Sequence, residues 1–259
     1  MRDVLEALTT GRLTVDEAEA ELAGYLTVDA GRFDVAREGR RGIPEGILAE
    51  GKTPDEVASL VDAAVASTGH AIVTRTTADH RTAIAERVST TFPDATVDVQ
   101  ERAALVVIHA AAYRPPELDA AVGVVSAGTA DAAAAGEAAA VAAEIGATVE
   151  RIHDVGVANL TRITDQLPAL REFDVLVVAA GREGALPTVV AGLVDVPVIG
   201  LPVSCGYGFG GDGEAALKGM LQSCTTLSVV NVDAGFVAGA QAGLIARSVA
   251  AARTSDNAT

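Results

Sequence analysis

The sequence predicts an α/β fold: a three-layer, doubly wound parallel sheet, preceded by a smaller α+β region. Three observations predict it. From residue 120 onward, short Val-rich runs alternate with Ala-rich stretches of about ten or more residues, the pattern of repeated βαβ units. Apolar residues make up 49% of the chain, while aromatics are 3% and Trp is absent. That suits Ala-rich helices on Val-rich strands better than an all-β sandwich. At 259 residues the chain has room for one or two domains and a sizeable core.

Taken in order, residues 1–26 carry the pattern of a helix pair. Thr14 and Glu17 have capping-box spacing for the second helix. Residues 29–50 hold a basic cluster, Arg37, Arg40 and Arg41, in an otherwise acidic chain. In GKTPDEV, Thr53 caps a helix over 54–68, with Pro54 and acids in its first turn. A strand at 71–74, a helix at 79–91, and strands at 97–99 and 104–108 follow. Pro115 and Pro116 mark a linker over 111–119. The boundary is placed there, giving an N-terminal region, 1–115, and an α/β domain, 116–259. The domain reads as strand 121–126, a long Ala-rich helix, strand 148–153, helix 160–170 and strand 173–179. A Gly turn and helix start, strand 196–201, helix 213–224, strand 228–232 and helix 237–252 complete it. The last seven residues, RTSDNAT, read as a frayed tail.

Composition excludes several classes of function. The formal charge is −16, and Lys52 and Lys218 are the only lysines. Such a surface repels phosphate backbones, so no nucleic-acid partner is expected. It also suits solvation at high salt, where screening relieves self-repulsion; an Arg-favouring GC-rich genome is the alternative. No uninterrupted apolar run reaches the roughly 20 residues of a membrane span. The charged, amphipathic N-terminus does not read as a secretory signal. A cytoplasmic protein with no membrane partner is expected. Cys205 and Cys224 form no disulfide framework, and their spacing is not that of a zinc site.

Several segments could carry chemistry. Ser126-Ala127-Gly128-Thr129 ends a strand and opens a helix, with Asp131 in the first turn. It offers an anion site of backbone N–H groups and hydroxyls, or simply a capped helix start. It is neither a P-loop nor a dinucleotide GxGxxG turn. Glu183, in AGREGALP, is an acid at a strand end, able to act on a ligand or to favour a helix start. The run from Val178 joins this strand to the next, so two parallel strands would present their carboxyl ends and this acid to one crevice. The glycine loop 206–213 reads as a lid, a phosphate cradle or a connector. Cys224 stands before a strand, beside Ser223 and Thr225, as a small hydrophobe or a nucleophile. Arg37, Arg40, Arg41, Lys52 and Arg75 could bind phosphate or carboxylate, or pair with nearby acids.

Together these residues resemble a known family. SAGTAD with its Ala-rich helix, and AGREGALPTVVAGLVDVPVIGLPVSCGYG, look like the phosphoribosylaminoimidazole carboxylase catalytic fold. The closer resemblance is to the LarB family, which makes the precursor of the nickel-pincer cofactor. It is carried by DVGVANLTR at 154–162, by LKGMLQSCTTLSVVNVDAGF, and by GRFDVAREGRRGIPEGILAEGKTPDEV in the N-terminal region. It covers nearly the whole chain from about residue 28.

The resemblance implies carboxylation of the pyridinium ring of nicotinate adenine dinucleotide with CO₂, then hydrolysis of the phosphoanhydride. The products would be pyridinium-3,5-biscarboxylic acid mononucleotide and AMP. It assigns the nucleophilic thiol to Cys224 and a base to Glu183. Ser126, Gly128, Thr129 and Asp131, with Asp154, Gly181 and Gly184, are implied in substrate binding. Arg75, Arg41 and Lys52 are implied for the substrate carboxylate or adenylate phosphate. Mg²⁺ on the pyrophosphate is compatible with the hydrolysis; no protein-bound metal and no organic cofactor are implied, the dinucleotide being substrate. Relatives of this fold assemble as octamers with sites between subunits, so a homo-oligomer is expected. The chain departs from the family pattern at three places: Asn159 stands for a Gly, Thr161 for a His and Arg182 for a Met. His153 is the candidate substitute for the missing imidazole. Two other readings compete: a purine-pathway aminoimidazole ribonucleotide carboxylase or mutase, and a non-enzymatic nucleotide-binding module. The His-Arg-Thr-Pro segment of the purine enzymes is absent.

Overall fold

The computed structural model describes all residues except 1, 16–17, 19–21, 23, 207–208 and 257–259. The chain divides into two compact units, Met1–Arg114 and Pro115–Thr259. The expected capping partner Glu17 lies outside the described residues.

The first unit opens with helix α1 (Arg2–Thr9) and a hairpin of β1 (Leu26–Val28) and β2 (Gly31–Phe33). A four-stranded mixed sheet follows, in the order β3 (Gly46–Leu48), β4 (His70–Thr74), β6 (Leu105–His109), β5 (Thr96–Gln100). The hairpin, β3 and the short helix α2 (Arg37–Arg41) are additions to the sequence reading. Each is only 3–5 residues long, too short to show a period. Helices α3 (Pro54–Thr68) and α4 (Ala78–Thr91) pack on each other, and α3 packs on β4. Thr53 is the expected cap, and it completes a capping box with Glu56: its side chain accepts from Glu56 N–H, and the Glu56 carboxylate accepts from Thr53 N–H at 2.7 Å.

The second unit is a five-stranded, all-parallel sheet between two helical layers. Its strands are β7 (Ala121–Ser126), β8 (Thr148–Ile152), β9 (Val175–Ala180), β10 (Val198–Pro202) and β11 (Ser228–Val229), in the order β11-β10-β9-β7-β8. Strand β9 is buried along its whole length, and its alternate side chains feed two cores. Val175, Val177 and Ala179 meet Ala135, Ala138 and Ala142 of α5 (Ala132–Glu144) and Ala238, Ala242 and Ala246 of α10 (Gly235–Asp256). Leu176, Val178 and Ala180 face Ile163, Leu170, Leu186 and Met220. These come from α6 (Thr161–Thr164), α7 (Leu167–Leu170), α8 (Ala185–Ala191) and α9 (Glu214–Leu221). Helix α10 is long and apolar enough to cross a membrane by composition, but it packs as a core helix against α5 and the sheet.

Three expectations are corrected. The helix expected over 160–170 is two short helices, because Leu167-Pro168 starts a new one: Pro168 has no N–H to continue the first. The helix expected over 213–224 ends at Leu221, leaving Cys224 in the turn beyond it. The tail expected to fray is helical to Asp256, held by Arg253, which pairs with Asp174 at 2.6 Å.

Candidate active site

In the strand order of the second unit, the chain moves outward from β7 to β8, then crosses back to β9 and on to β10 and β11. The connections from β7 and β9 therefore leave on opposite sides and open a crevice at the carboxyl ends of these strands. Ligands bind at such switch points in open α/β sheets. Here the crevice is a cavity of about 550 Å³. Its walls include Ala127, Gly128 and Asp131 after β7, and Gly181, Arg182 and Glu183 after β9. A second cavity of about 340 Å³ lies under the glycine loop, lined by Phe209, Gly210, Gly211 and Gly213. The two share Arg182, Glu183, Cys205 and Gly206, so they form one trough.

Ser126 is fully buried at the end of β7 and shares a hydrogen bond with His153 Nδ1 at 3.0 Å. Its hydroxyl orients the imidazole rather than facing the cavity. Gly128 N–H donates to Asp131 Oδ2 at 2.8 Å, closing the turn, and Thr129 is exposed at its start. Asp131 is buried, and its other oxygen accepts the Cys205 thiol proton at 3.0 Å. One carboxylate thus ties the β7 turn to the loop after β10. Burial first, then the hydrogen bond to Asp131 and the charges of Asp131 and Asp233, push the Cys205 thiol up to about 12. Cys205 is a neutral thiol at physiological pH.

The turn after β9 is tightly built. Gly181 admits no side chain, because a Cβ would collide with the Cys205 carbonyl oxygen. Gly184 takes a left-handed φ of 67° as α8 begins, against the backbone of Ala216. Between them Arg182 also has a left-handed φ, 52°, a costly conformation for a residue with a Cβ. Glu183 is exposed into the trough. After β8, Asp154 has a φ of 59° and pairs with Arg162 at 3.0 Å. Asn159 Oδ1 accepts from both the hydroxyl and the N–H of Thr161, so these two departures from the family pattern are bonded to each other.

The trough therefore gathers Gly128, Asp131, Gly181 and Glu183, with Ser126, Thr129, Asp154 and Gly184 on the segments that shape it. Cys224 lines neither cavity. It is exposed on the turn before β11, where Thr225 packs beside Gly192 beyond the end of α8. That is the amino edge of the parallel sheet, whereas Glu183 is at the carboxyl edge. Arg41, Lys52 and Arg75 belong to the first unit. There Lys52 and Arg75 line a separate cavity of about 480 Å³ with His80. Most of the basic cluster is matched by acids: Arg37 pairs with Glu45, Arg40 with Asp34 and Arg75 with Glu50, each at 2.7–2.8 Å. The Arg40 guanidinium holds Asp34 below its ordinary range, while burial raises Glu45. Sequence reasoning undervalued Arg182 and Cys205 as lining residues. The departure from Met at 182 was the available signal for the first; for the second there was none.

A switch-point trough with an acid and a glycine turn, on a 2-1-3-4-5 sheet, defines a doubly wound α/β domain with a ligand crevice. The comparisons give the particular family. Residues 121–258 match AIR carboxylase, and residues 25–110 match the LarB/PurE-like N-terminal domain. The chain belongs to the LarB family, whose C-terminal domain is PurE-like, and is a carboxylase- or mutase-type enzyme. It is also 34% identical over 253 residues to an uncharacterized protein of Methanocaldococcus jannaschii, covering 95% of this chain and 97% of that one.

Proposed function

We propose that the protein carboxylates the pyridinium ring of nicotinate adenine dinucleotide and then hydrolyses its phosphoanhydride, for nickel-pincer cofactor synthesis. The observation that carries the reading is the switch-point trough holding Glu183 beside the Gly128 turn, in a chain with both family domains. The trough offers an apolar ledge for a flat ring at Ala127, Val157 and Leu186, and a glycine turn suited to a phosphate.

The chemistry requires a thiol. A pyridinium is an electrophile and does not attack CO₂. Thiolate addition at ring C4 makes a dihydropyridine whose C5 is nucleophilic. C5 attacks CO₂, a base removes the C5 proton, and the thiolate leaves as the ring regains aromaticity. Water then cleaves the phosphoanhydride to the mononucleotide and AMP; Mg²⁺ would enter on the pyrophosphate of the substrate. Glu183 is the base in this scheme. Cys205, with its raised pKa and its proton held on Asp131, is a poor nucleophile. Cys224 remains, at the far edge of the sheet, so the reading requires a second copy of the chain to present its Cys224 to this trough.

The test is mass spectrometry of products after incubation with the dinucleotide and bicarbonate. Wild type should release AMP and the biscarboxylate in a CO₂-dependent way. Cys224→Ala and Glu183→Gln should each lose at least about 100-fold in turnover, the scale of a removed nucleophile or base. Co-assembled from both variants, the protein should regain activity, because some sites then combine an intact Glu183 with an intact Cys224. Full activity of Cys224→Ala, or CO₂ transfer on an aminoimidazole ribonucleotide instead, would reject the reading.

A further inference from the structure

The chain has four histidines, and three of them, His70, His80 and His109, belong to the first unit. His153 is the one imidazole of the α/β unit. It follows β8 directly, and its Nδ1 lies 3.0 Å from Ser126 Oγ at the end of β7. A serine hydroxyl on an imidazole nitrogen is also the arrangement of an activated nucleophile. Ser126 is fully buried, however, so its hydroxyl cannot meet a substrate. The bond instead fixes the ring of the exposed His153. The two ring nitrogens point in diverging directions, so Nδ1 held at the buried serine turns Nε2 away from the core. The state of each nitrogen is set by the bond the other makes: with Nδ1–H donated to Ser126 Oγ, Nε2 keeps a lone pair.

The sheet order points to the group that nitrogen serves. Across the carboxyl edge the strands run β9, β7, β8. Glu183 therefore lies beyond β9, the Gly128 turn beyond β7 and His153 beyond β8. The turn suited to a phosphate stands between the acid and the imidazole. In the dinucleotide a ribose separates ring from phosphate; here two strand spacings of about 4.8 Å each separate β9 from β8. The segment after His153 belongs to the trough wall. Val155 N–H donates to the Ser126 carbonyl at 3.3 Å, and Gly156 and Val157 line the trough. A Cβ on Gly156 would lie 2.9 Å from the Ala127 carbonyl oxygen, so the loop sits close against the β7 turn. The neighbouring acid, Asp154, is paired with Arg162.

We propose that His153 is the general base of the hydrolytic half-reaction and that Ser126 is its positioning residue. The inference rests on the proposed function for the identity of the substrate. It adds a division of labour: Glu183 serves the ring and His153 the phosphoanhydride. Nε2 takes a proton from water as the water oxygen bonds to one phosphorus. The bridging P–O bond breaks, its electron pair leaves on the other phosphate, and the imidazolium returns its proton to solvent.

Single-turnover product analysis separates the two half-reactions. The full-length protein is mixed with nicotinate adenine dinucleotide and bicarbonate, and mass spectrometry follows ring carboxylation and AMP release. His153→Gln should slow AMP release by about 100-fold, the scale of a removed base, while carboxylation proceeds. The carboxylated dinucleotide then accumulates uncleaved. His153→Ala should regain AMP release when imidazole is added, which a structural role would not allow. Ser126→Ala should slow the same step by about 10-fold, the scale of one orienting hydrogen bond. His153 is exposed, so its variants leave the core intact, and thermal unfolding verifies this. Undiminished AMP release by His153→Gln overturns the inference and leaves the proposed reaction standing. Equal loss of both half-reactions without imidazole rescue, or a wild type that carboxylates without cleaving, overturns it as well. Cleavage of the dinucleotide that depends on His153 but occurs without carboxylation would sink the proposed reaction and leave this inference standing.

Discussion

Cys205 and Asp131 are 74 residues apart in sequence, and in the structure the Cys205 thiol donates a hydrogen bond to Asp131 Oδ1 at 3.0 Å. No spacing rule joins them, so the sequence presented two equivalent cysteines where the structure has two chemically different thiols. The difference is open to measurement. A thiol reacts with alkylating agents as thiolate, and Cys205, pushed up to about 12, has almost none at neutral pH. In the folded protein, iodoacetamide at pH 7.5 should modify exposed Cys224 first. Raising the pH to about 9 should leave Cys205 slow, because its thiolate appears only as pH approaches the raised value. Unfolding in urea should make it react as an ordinary cysteine near its usual value of about 8.5. Peptide mass spectrometry reads both sites, and fast labelling of folded Cys205 would show that Asp131 does not hold its proton. By contrast, the place of Glu183 just beyond a strand end was legible from its turn alone, because an acid between glycines after an apolar run is a local pattern.

At the scale of elements, the residues that were read well were those with local chemical causes. The cap at Thr53 follows from a side chain and a backbone group three residues apart. The Ala-rich helix α5 follows from propensity. Its tight seam with α10 does not. Gly235, Gly239 and Gly243 face α5 at a spacing of four, and a Cβ on Gly239 would run into the carbonyl oxygen of Ala138. Because the obstruction is backbone, a neighbouring side chain cannot move aside to relieve it. Gly239→Ala should destabilise the second unit by about 1–3 kcal/mol through overpacking, despite its gain in helix propensity. Urea denaturation would measure it, and a stabilised variant would mean the two helices separate without penalty. The end of α9 at Leu221 was misread because Gln222-Ser223-Cys224, just beyond it, holds neither Gly nor Pro to mark a stop.

The molecule as a whole carries −16 charges on 259 residues. Self-repulsion opposes the compact state and salt screens it, with a Debye length of about 10 Å at 0.1 M and about 3 Å at 1 M. The melting temperature should therefore rise from low salt to molar KCl; a flat profile would remove the high-salt reading of the composition. What the sequence by itself determined is the alternation of strands and helices, the family, and the presence of an acid and glycines in the turns after β7 and β9. All of these are written within a few neighbouring residues. Only the tertiary structure decided that the crevice opens between β7 and β9, since strand order is a long-range choice made by packing both faces of β9. It likewise decided that Cys205 sits beside Asp131 and that Arg182 stands where two cavities meet. And it set Cys224 at the opposite edge of the sheet from Glu183, because parallel strands send the residues that precede them and those that follow them to opposite edges.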